Sequence, residues 1–352
     1  MSSKKTQIET NTSVLEKAMI RRLPRRASGG GQIVWPAVPS LVEHYLRNLA
    51  AVFSALGRAF SEAELEQVRG MLVKHIELGF SASPFSQVVV DYQTQPAPST
   101  ALNYTISHRF VTLQDEYAGW VQNRTPPLFG AHPDAKVMDL ARSLGEPKDV
   151  PVLDVGAGTG RNTLPLAEAG FPTDAVELAT ALAAVLREEV AKTSAKVRVF
   201  EGDALDPNLG IPSRHYRLVV LAEVVASHFR TAAEIRNLFE RALEWLAPGG
   251  LMIFSAFLTR GGYKPDAMAR HLSEVMWCCA FTRNQLDEAV AGLPFVRVSD
   301  ESAYDYEKEH LPAAAWPPTG WYADWSRGQD LFDIPGDRTP LDLRWLVYRL
   351  ER

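Results

Sequence analysis

The chain has 352 residues, enough for two ordinary domains or one elaborated domain with a large hydrophobic core. Hydrophobic residues make up 46% and charged residues 22% of the sequence, and the formal net charge is −5. This composition is that of a folded globular protein, and the acidic balance gives no general attraction to nucleic acid. We therefore expect no nucleic-acid partner.

Membrane insertion and disulfide bonding are also disfavoured. No run of about 18 apolar residues is present, and residues 1–13 lack the apolar segment of a secretory signal. The two cysteines, Cys278 and Cys279, are adjacent, which disfavours a disulfide between them and indicates reduced thiols. We expect no membrane partner and a cytoplasmic location.

The N-terminal part of the chain divides into a tail and a longer folded region. Residues 1–35 are polar and contain Ser28-Gly29-Gly30-Gly31, which predicts a flexible tail. Four arginines in this tail form a small basic cluster that suits either solvent exposure or an anionic partner. They are Arg21, Arg22, Arg25 and Arg26.

Residues 36–148 are predicted to be a mainly helical N-terminal or lid region. Ser40 with Glu43, and Ser61 with Glu64, have the spacing of capping boxes, and apolar residues recur at helical spacing after each. Between residues 80 and 122 a strand pattern and several aromatic residues follow. This stretch suits either ordinary packing or a lid that closes over a binding site.

From residue 149 to 352, strand and helix patterns alternate, which predicts a parallel sheet with right-handed crossovers. The fold class is therefore α/β: a Rossmann-like, seven-stranded, mostly parallel sheet with helices on both faces and a helical N-terminal addition. An aromatic insertion at about 301–340 lies between the last two strands. The strands are predicted near 152–155, 173–177, 196–200, 217–222, 250–256, 294–300 and 342–350.

The first core strand ends in a glycine-rich turn, Asp154-Val155-Gly156-Ala157-Gly158-Thr159-Gly160. Glycines let the backbone approach a ligand closely, and the following helix offers free N–H groups. The third glycine comes one residue too early for the dinucleotide fingerprint G-x-G-x-x-G. No Lys-Ser or Lys-Thr follows Gly160, as a phosphate-binding loop requires.

Other strand ends also carry polar groups, and ligands of open parallel sheets bind at these ends. Glu177 ends the second strand, Gly202-Asp203-Ala204 follows the third, and Pro248-Gly249-Gly250 precedes the fifth. With the glycine turn, this order resembles the class I S-adenosylmethionine-dependent methyltransferases over about residues 150–300 and the final strand. An NAD-dependent enzyme shares the second-strand glutamate, but the glycine spacing and Gly202-Asp203 disfavour it.

The resemblance implies S-adenosyl-L-methionine as cofactor and assigns it a binding surface. Asp154 would contact the methionine amino group, Glu177 the ribose, and Asp203 with Ala204 the adenine, while Glu223 would lie at the methionine end. The complete set of expected cofactor contacts is Asp154, Gly156, Ala157, Gly158, Gly160, Glu177, Leu178, Asp203, Ala204 and Glu223.

For catalysis, His228 lies just past the fourth strand, where related enzymes often place residues that face the methyl acceptor. It suits a general base, because its pKa is near neutral, or a structural role at the next helix. His271 and His310 are further candidates. The Asp-Pro-Pro-Tyr motif of many amino-directed methyltransferases is absent at Ala222-Glu223-Val224-Val225, which favours oxygen over nitrogen as the atom methylated.

Aromatic side chains are the predicted substrate contacts: Tyr104, and Trp316, Trp321 and Tyr322 of the insertion, although the insertion also suits a loop pinned by its own aromatics. No spacing of Asp, Glu or His indicates a metal site, although such side chains can converge in a fold. We expect an enzyme that methylates a small-molecule acceptor at oxygen. The alternatives are a peptide or protein methyltransferase and a non-catalytic protein that binds S-adenosylmethionine.

Overall fold

The computed structural model describes residues 10–22, 29–96, 99 and 101–351. The chain forms two compact units. The first contains Met1–Ala82 and Ser86–Phe110, and the second contains Ser83–Phe85 and Val111–Arg352. Within the predicted tail, residues 1–9 and 23–28, which include Arg25 and Arg26 of its basic cluster, lie outside the described residues, and Thr12–Arg22 forms an α-helix rather than a flexible segment.

The first unit is a small α/β structure. Its elements are α1 (Thr12–Arg22), β1 (Gly30–Pro36), α2 (Val42–Ala55), α3 (Glu62–Ala82), β2 (Gln87–Thr94) and β3 (Leu102–Arg109). Helices α2 and α3 pack on an antiparallel sheet of order β1-β2-β3. The core joins Leu49 and Phe53 of α2 to Leu72 of α3 and to Val88 and Val90 of β2, all of which are buried.

Three expectations for this region need correction. Residues 30–35, predicted as tail, form part of β1 because they pair in register with β2, Ile33 facing Val90. The predicted single region at 36–148 is divided between the two units, because the first unit ends at Phe110 rather than near residue 148. The Ser40 capping box does not form, since a 3₁₀ turn at Pro39–Leu41 places Leu41 at the N-cap of α2.

The second unit begins with two helices and then alternates strands with helices. Its first half contains α4 (Leu113–Asn123), α5 (Ala135–Ser143), β4 (Val152–Val155), α6 (Thr163–Glu168), β5 (Thr173–Glu177), α7 (Thr180–Ala191), β6 (Val197–Glu201), β7 (Tyr216–Leu221), α8 (Val224–His228) and α9 (Ala232–Trp245). Its second half contains β8 (Leu246–Thr259), α10 (Ala267–Val275), β9 (Ala280–Phe281), α11 (Arg283–Val290), β10 (Phe295–Ser302), α12 (Ala303–His310), α13 (Tyr322–Trp325), α14 (Gln329–Phe332) and β11 (Leu341–Leu350).

The strand order is β10-β11-β8-β7-β4-β5-β6, and the two-residue β9 pairs with β8. The pairs from β8 through β6 are parallel, whereas β11 is antiparallel to both β8 and β10. This arrangement confirms the predicted α/β fold with its seven-stranded, mostly parallel sheet. The predicted insertion at 301–340 contains α12, α13 and α14 rather than loop alone.

Helices cover both faces of this sheet, as predicted. Leu153 of β4 packs in a core with Leu238 and Phe239 of α9, whereas its neighbour Val152 packs with Val137 of α5 on the opposite face. This alternation follows from the two-residue period of a strand and explains why the central strands are apolar throughout.

The topology places a crevice at one edge of the sheet. After β4 the chain adds β5 and β6 on one side, and β7 then pairs with β4 on the other side. The connections that leave the carboxyl ends of β4 and β7 therefore diverge to opposite faces. Such a switch point is where open α/β sheets bind their ligands.

Two further expectations concern the chain as a whole. Within the described ranges, no helix is both long and apolar enough to span a membrane. Cys278 and Cys279 are buried and not joined by a disulfide.

Candidate active site

A cavity of about 730 Å³ opens at the carboxyl ends of β4, β5, β6 and β7. Of the residues predicted to contact the cofactor, all but Gly160 line it. A Cβ atom at Gly160 would instead lie 2.8 Å from Leu186 Cδ1 and 3.1 Å from Leu164 Cγ, so this glycine permits helix packing. The lining residues from the predicted set are Asp154, Gly156, Ala157, Gly158, Glu177, Leu178, Asp203, Ala204 and Glu223.

The glycine turn is shaped by left-handed backbone. Gly156 has φ +71° and Gly158 has φ +58°, a region that glycine adopts without steric cost. A Cβ atom at Gly156 would lie 2.3 Å from Val224 Cγ2, and one at Gly158 would lie 3.1 Å from the Phe129 ring. The turn therefore needs both glycines to keep its course along the cavity wall.

Glu177 joins this turn to the end of β5. Its carboxylate is 4% exposed and accepts hydrogen bonds from the Gly158 N–H at 2.7 Å and the Ala179 N–H at 2.8 Å. Burial raises the pKa of Glu177, while these backbone donors oppose that rise. A carboxylate has about four acceptor positions, so the two backbone bonds leave capacity for a ligand hydroxyl.

Two further acidic residues are held in place by local bonds. The Asp154 carboxylate accepts a hydrogen bond from Thr163 Oγ1 at 2.6 Å, and burial raises the pKa of Asp154 to about 7. Asp203 accepts a bond from the Leu205 N–H at 2.9 Å, which fixes the turn after β6. Both side chains are thus oriented before any ligand binds.

Arg161 is the centre of a buried ion cluster. Its side chain is 8% exposed and bonds Asp134 at 2.5 Å and Glu223 at 2.9 Å. Asn162 donates a hydrogen bond to the second oxygen of Asp134 at 2.8 Å. Sequence reasoning placed Glu223 at the site but missed Arg161 and Asp134; the position of Arg161 directly after the third glycine was an available signal, whereas nothing marked Asp134.

Glu223 combines backbone strain with a perturbed charge. It has φ +63°, an uncommon conformation for a residue other than glycine, and its N–H donates to Ser255 Oγ at 2.8 Å. Burial raises the pKa of Glu223 to about 7, although Arg161 favours its charged form. Strain and desolvation of this kind concentrate at functional sites.

The described residues that line the cavity carry more negative than positive side chains. The carboxylates are Asp154, Glu177, Asp203, Glu223, Glu234 and Asp330, and the guanidinium groups are Arg124 and Arg161. Arg161 is already bonded to two carboxylates. This balance favours a ligand that carries positive charge.

The other half of the cavity is aromatic. Tyr117, Trp120 and Trp277 form a triangle with ring centroids 5.2–5.7 Å apart, and Phe129 lies 6.0 Å from Trp120. Trp277 has φ +58° and its carbonyl accepts a bond from Trp325 Nε1 at 3.1 Å. Sequence reasoning did not assign Trp277, because nothing in its local pattern distinguishes it from a core aromatic residue.

His228 lies at the edge of this aromatic triangle. Its Nε2 is 3.0 Å from the Tyr117 hydroxyl oxygen, and its ring centroid is 5.5 Å from that of Trp277. Burial, and then the charge of Arg230, lowers the pKa of His228 to about 4. The imidazole is therefore neutral at pH 7. His271 and His310 are not among the residues that line the cavity.

The predicted substrate contacts divide into two groups. Trp321 lines the cavity, and so does Trp325, which was not assigned. Trp316 and Tyr322 do not line it; Tyr322 is buried and packs against Trp316 with ring centroids 5.9 Å apart. Tyr104 belongs to the first unit.

In the first unit, the ring centroid of Tyr104 lies 5.4 Å from that of Phe53 and 5.7 Å from that of Phe60. These neighbours place it in the hydrophobic core of that unit. Over the part of the chain that the structure covers, no group of three or more His, Cys, Asp or Glu side chains is arranged to hold a metal ion.

Comparisons with known proteins address the fold and the family. Residues 152–250 match the sequence profile of a family described as a methyltransferase domain. A comparison with curated protein sequences finds no match. A geranyl diphosphate methyltransferase, solved with GPP and sinefungin, has a TM-score of 0.50 and 13% identity and covers 67% of this chain and 98% of its own.

Two other solved structures have similar coverage. A geranyl diphosphate C-methyltransferase from Streptomyces coelicolor A3(2) has a TM-score of 0.48 and 14% identity, over 68% of this chain and 98% of its own. The [4+2]-cyclase SpnF has a TM-score of 0.44 and 14% identity, over 67% of this chain and 92% of its own. At 13% identity, the likeness to the geranyl diphosphate methyltransferase solved with GPP and sinefungin speaks to the fold alone.

The ion cluster predicts a large stability cost for removing its only cation. Arg161→Met should lower the free energy of unfolding by about 3–5 kcal/mol, because the buried carboxylates of Asp134 and Glu223 would lose the cation that they share. The matched control is Arg198→Met, which breaks the more exposed Arg198–Asp174 pair and should cost about 1 kcal/mol or less. Chemical denaturation of both variants measures the difference, and equal costs would contradict a buried, interdependent cluster.

Proposed function

We propose that this chain, which belongs through residues 152–250 to the class I S-adenosylmethionine-dependent methyltransferases, methylates a small-molecule acceptor at oxygen. The observation that carries the proposal is that an acidic, glycine-lined half and an aromatic half that contains His228 meet in one cavity. The first half suits the cofactor, and the second half suits a small acceptor with an apolar body.

The cofactor is S-adenosyl-L-methionine, and the residues present fit it. Its sulfonium and ammonium groups outnumber its carboxylate, which matches the excess of carboxylates on the cavity wall. When bound, it supplies an electrophilic methyl group. Glu177 is positioned to accept hydrogen bonds from the ribose hydroxyls, and glycine at 156 and 158 lets the turn follow the cavity wall against Val224 and Phe129.

Among the chain's own groups, Asp154 and Glu223 would lie at the methionine end of the cofactor, and Asp203 with Ala204 beside the adenine. Glu223 is held by Arg161, so a ligand ammonium would share an oriented carboxylate rather than recruit a mobile one. Leu113, Tyr117 and Trp120 of α4 line the same cavity at helical spacing. This face of α4 would shield the reacting atoms from water, as part of the expected lid.

Two alternatives are less well supported. A peptide or protein acceptor would require a long groove, whereas the aromatic half of the cavity is lined by the half-buried side chain of His228 and by Tyr117, Trp120 and Trp277. A non-catalytic role would be favoured if the cavity had no space for an acceptor beside the cofactor. His228, Trp321 and Trp325 all line the cavity, so the side expected to hold the acceptor is open. A cytoplasmic location stays a prediction from the sequence.

Oxygen is favoured because the acceptor half contains a neutral imidazole, His228, that can take the proton that a hydroxyl acceptor loses on methylation. His228 is uncharged at neutral pH, so it is able to accept a proton. The absence of an Asp-Pro-Pro-Tyr motif at residues 222–225 supports the same assignment.

A paired-acceptor assay tests the choice of atom. The purified protein with labelled S-adenosylmethionine should transfer methyl groups to aromatic alcohols such as benzyl alcohol, 2-phenylethanol or phenol. It should transfer at least ten-fold less to benzylamine and 2-phenylethylamine, which have similar shapes. Products that carry the label on nitrogen in the amine series, with none in the alcohol series, would contradict oxygen transfer.

The ribose assignment predicts a specific loss of cofactor affinity. Glu177→Gln should weaken binding of S-adenosylhomocysteine by about 1–3 kcal/mol, since a charge-assisted hydrogen bond is lost. The control is Glu201→Gln at the end of the next strand, where the carboxylate pairs with Arg187 and does not line the cavity. Isothermal titration measures both, and equal affinities would remove Glu177 from the ribose site.

The role of His228 predicts both a rate and a pH profile. His228→Ala should lower turnover about 10²–10⁴-fold with cofactor affinity retained, whereas His310→Ala outside the cavity should not. Because burial lowers the pKa of His228 to about 4, activity should not fall as the pH drops from 7 to 6. Its loss should begin only near pH 4. A fall centred at pH 6.5 that disappears in His228→Ala would contradict a desolvated imidazole.

A further inference from the structure

Tyr117 and His228 both line the aromatic half of the cavity, and a hydrogen bond joins them. The Tyr117 hydroxyl oxygen lies 3.0 Å from His228 Nε2. Tyr117 comes from α4 and His228 from the end of α8, so the bond joins two elements that are 111 residues apart in sequence. The nitrogen expected to act as base is therefore already engaged.

The direction of this hydrogen bond follows from the protonation states. Burial, and then Glu177 and Glu223, holds the pKa of Tyr117 far above its usual range, so the phenol keeps its proton. The neutral imidazole of His228 must then accept at Nε2 and carry its own proton on Nδ1. The phenolic oxygen keeps lone pairs for another donor, whereas the Nε2 lone pair is taken.

We propose that Tyr117 is a catalytic residue that touches the acceptor hydroxyl and relays its proton to Nε2 of His228. This inference rests on the proposed oxygen transfer, which it deepens by naming the contacting residue. Sequence reasoning gave Tyr117 no role beyond a lid. The relay makes His228 the second member of a dyad rather than the group in contact with the acceptor.

The methyl transfer and the proton relay together balance in atoms and charge. The acceptor oxygen forms its bond to the methyl carbon, whose bond to sulfur breaks with the electron pair left on sulfur. The acceptor O–H bond then breaks, its proton joins the Tyr117 oxygen, and the phenolic proton moves to His228 Nε2. The resulting imidazolium loses a proton to solvent, which restores both side chains.

The weak basicity of His228 suits a proton that moves late. An alcohol oxygen is a poor acid before methylation, but it becomes a strong acid once it forms a third bond to carbon. A base whose pKa is lowered by burial can take a proton from that oxygen even though it could not ionise a free alcohol. The acceptor class is therefore a neutral hydroxyl compound.

The hydrogen bond between Tyr117 and His228 would also form if Tyr117 had a purely structural role. Tyr117 would act only as a latch if its bond to His228 served to hold α4 over the cavity. A second contact of α4 makes this distinction possible, because the Gln114 amide donates to the Leu178 carbonyl at 2.8 Å and accepts from the Thr180 N–H at 3.0 Å. Gln114 anchors α4 to the start of α7 but does not touch His228.

The closing experiment compares Tyr117→Phe with Gln114→Ala, using the alcohol that wild type methylates best in the paired-acceptor assay. Tyr117→Phe removes only the hydroxyl and keeps the ring against Trp120 and Trp277. It should lower kcat about 10²-fold or more with unchanged affinity for S-adenosylhomocysteine. Gln114→Ala should change KM or cofactor affinity and leave kcat within a few-fold of wild type. Tyr117→Phe combined with His228→Ala should be no slower than the slower single variant.

A second measurement needs no acceptor. In protein labelled with ¹⁵N-histidine and saturated with S-adenosylhomocysteine, the nitrogen shifts of His228 should show an unprotonated Nε2 that accepts a hydrogen bond. Tyr117→Phe should move that Nε2 signal, and Gln114→Ala should not. An Nε2 signal that is the same in wild type and Tyr117→Phe would overturn the dyad.

The outcomes separate the relay from the function on which it rests. Wild type that methylates no alcohol would overturn the proposed oxygen transfer itself. Wild type that methylates an alcohol while Tyr117→Phe keeps normal kcat would overturn only the relay. Equal kcat losses in Tyr117→Phe and Gln114→Ala would assign Tyr117 to lid closure instead.

Discussion

The site depends on burying several carboxylates around one guanidinium. Asp134 and Glu223 share Arg161, and Glu307 of α12 accepts bonds from the Ala135 N–H at 2.7 Å and from Trp345 Nε1 at 3.0 Å. Burial raises the pKa of Glu223 and Glu307 to about 7. Buried carboxylates are tolerated only when each of them is hydrogen-bonded. The bonds that hold the glycine turn, α5 and α12 together therefore also fix the surface that would bind the cofactor.

The two halves of the cavity differ in the side chains that line them. The half beside β4 and β5 offers oriented carboxylates to a cationic ligand, whereas the half beside α4 and Trp277 offers rings and a neutral imidazole. Methyl transfer requires little covalent chemistry from a protein, because alignment and exclusion of water supply most of the rate. Two strained residues, Glu223 and Trp277, lie one in each half, where backbone strain is offset by surrounding packing.

Prediction from sequence succeeded where local pattern and topology agree. The strand at 152–155 was placed at its observed bounds, because it lies buried between two helix layers and reads as a short apolar run ended by glycine. It failed where a neighbour decided the outcome: residues 30–35 read as tail, yet they pair with β2. Ser40 has the spacing of a cap, yet a 3₁₀ turn occupies that position.

The sequence by itself determined the α/β fold, the glycine turn and the strand-end carboxylates, since each of these follows from residues close together in the chain. Only the tertiary structure decided which side chains from distant parts of the chain contact one another at the cavity. Arg161 contacts Asp134 and Glu223 from elements 27 and 62 residues away, and Tyr117 contacts His228 across 111 residues. The low pKa of His228 likewise arises from burial, a property of the packed protein that no spacing of residues encodes.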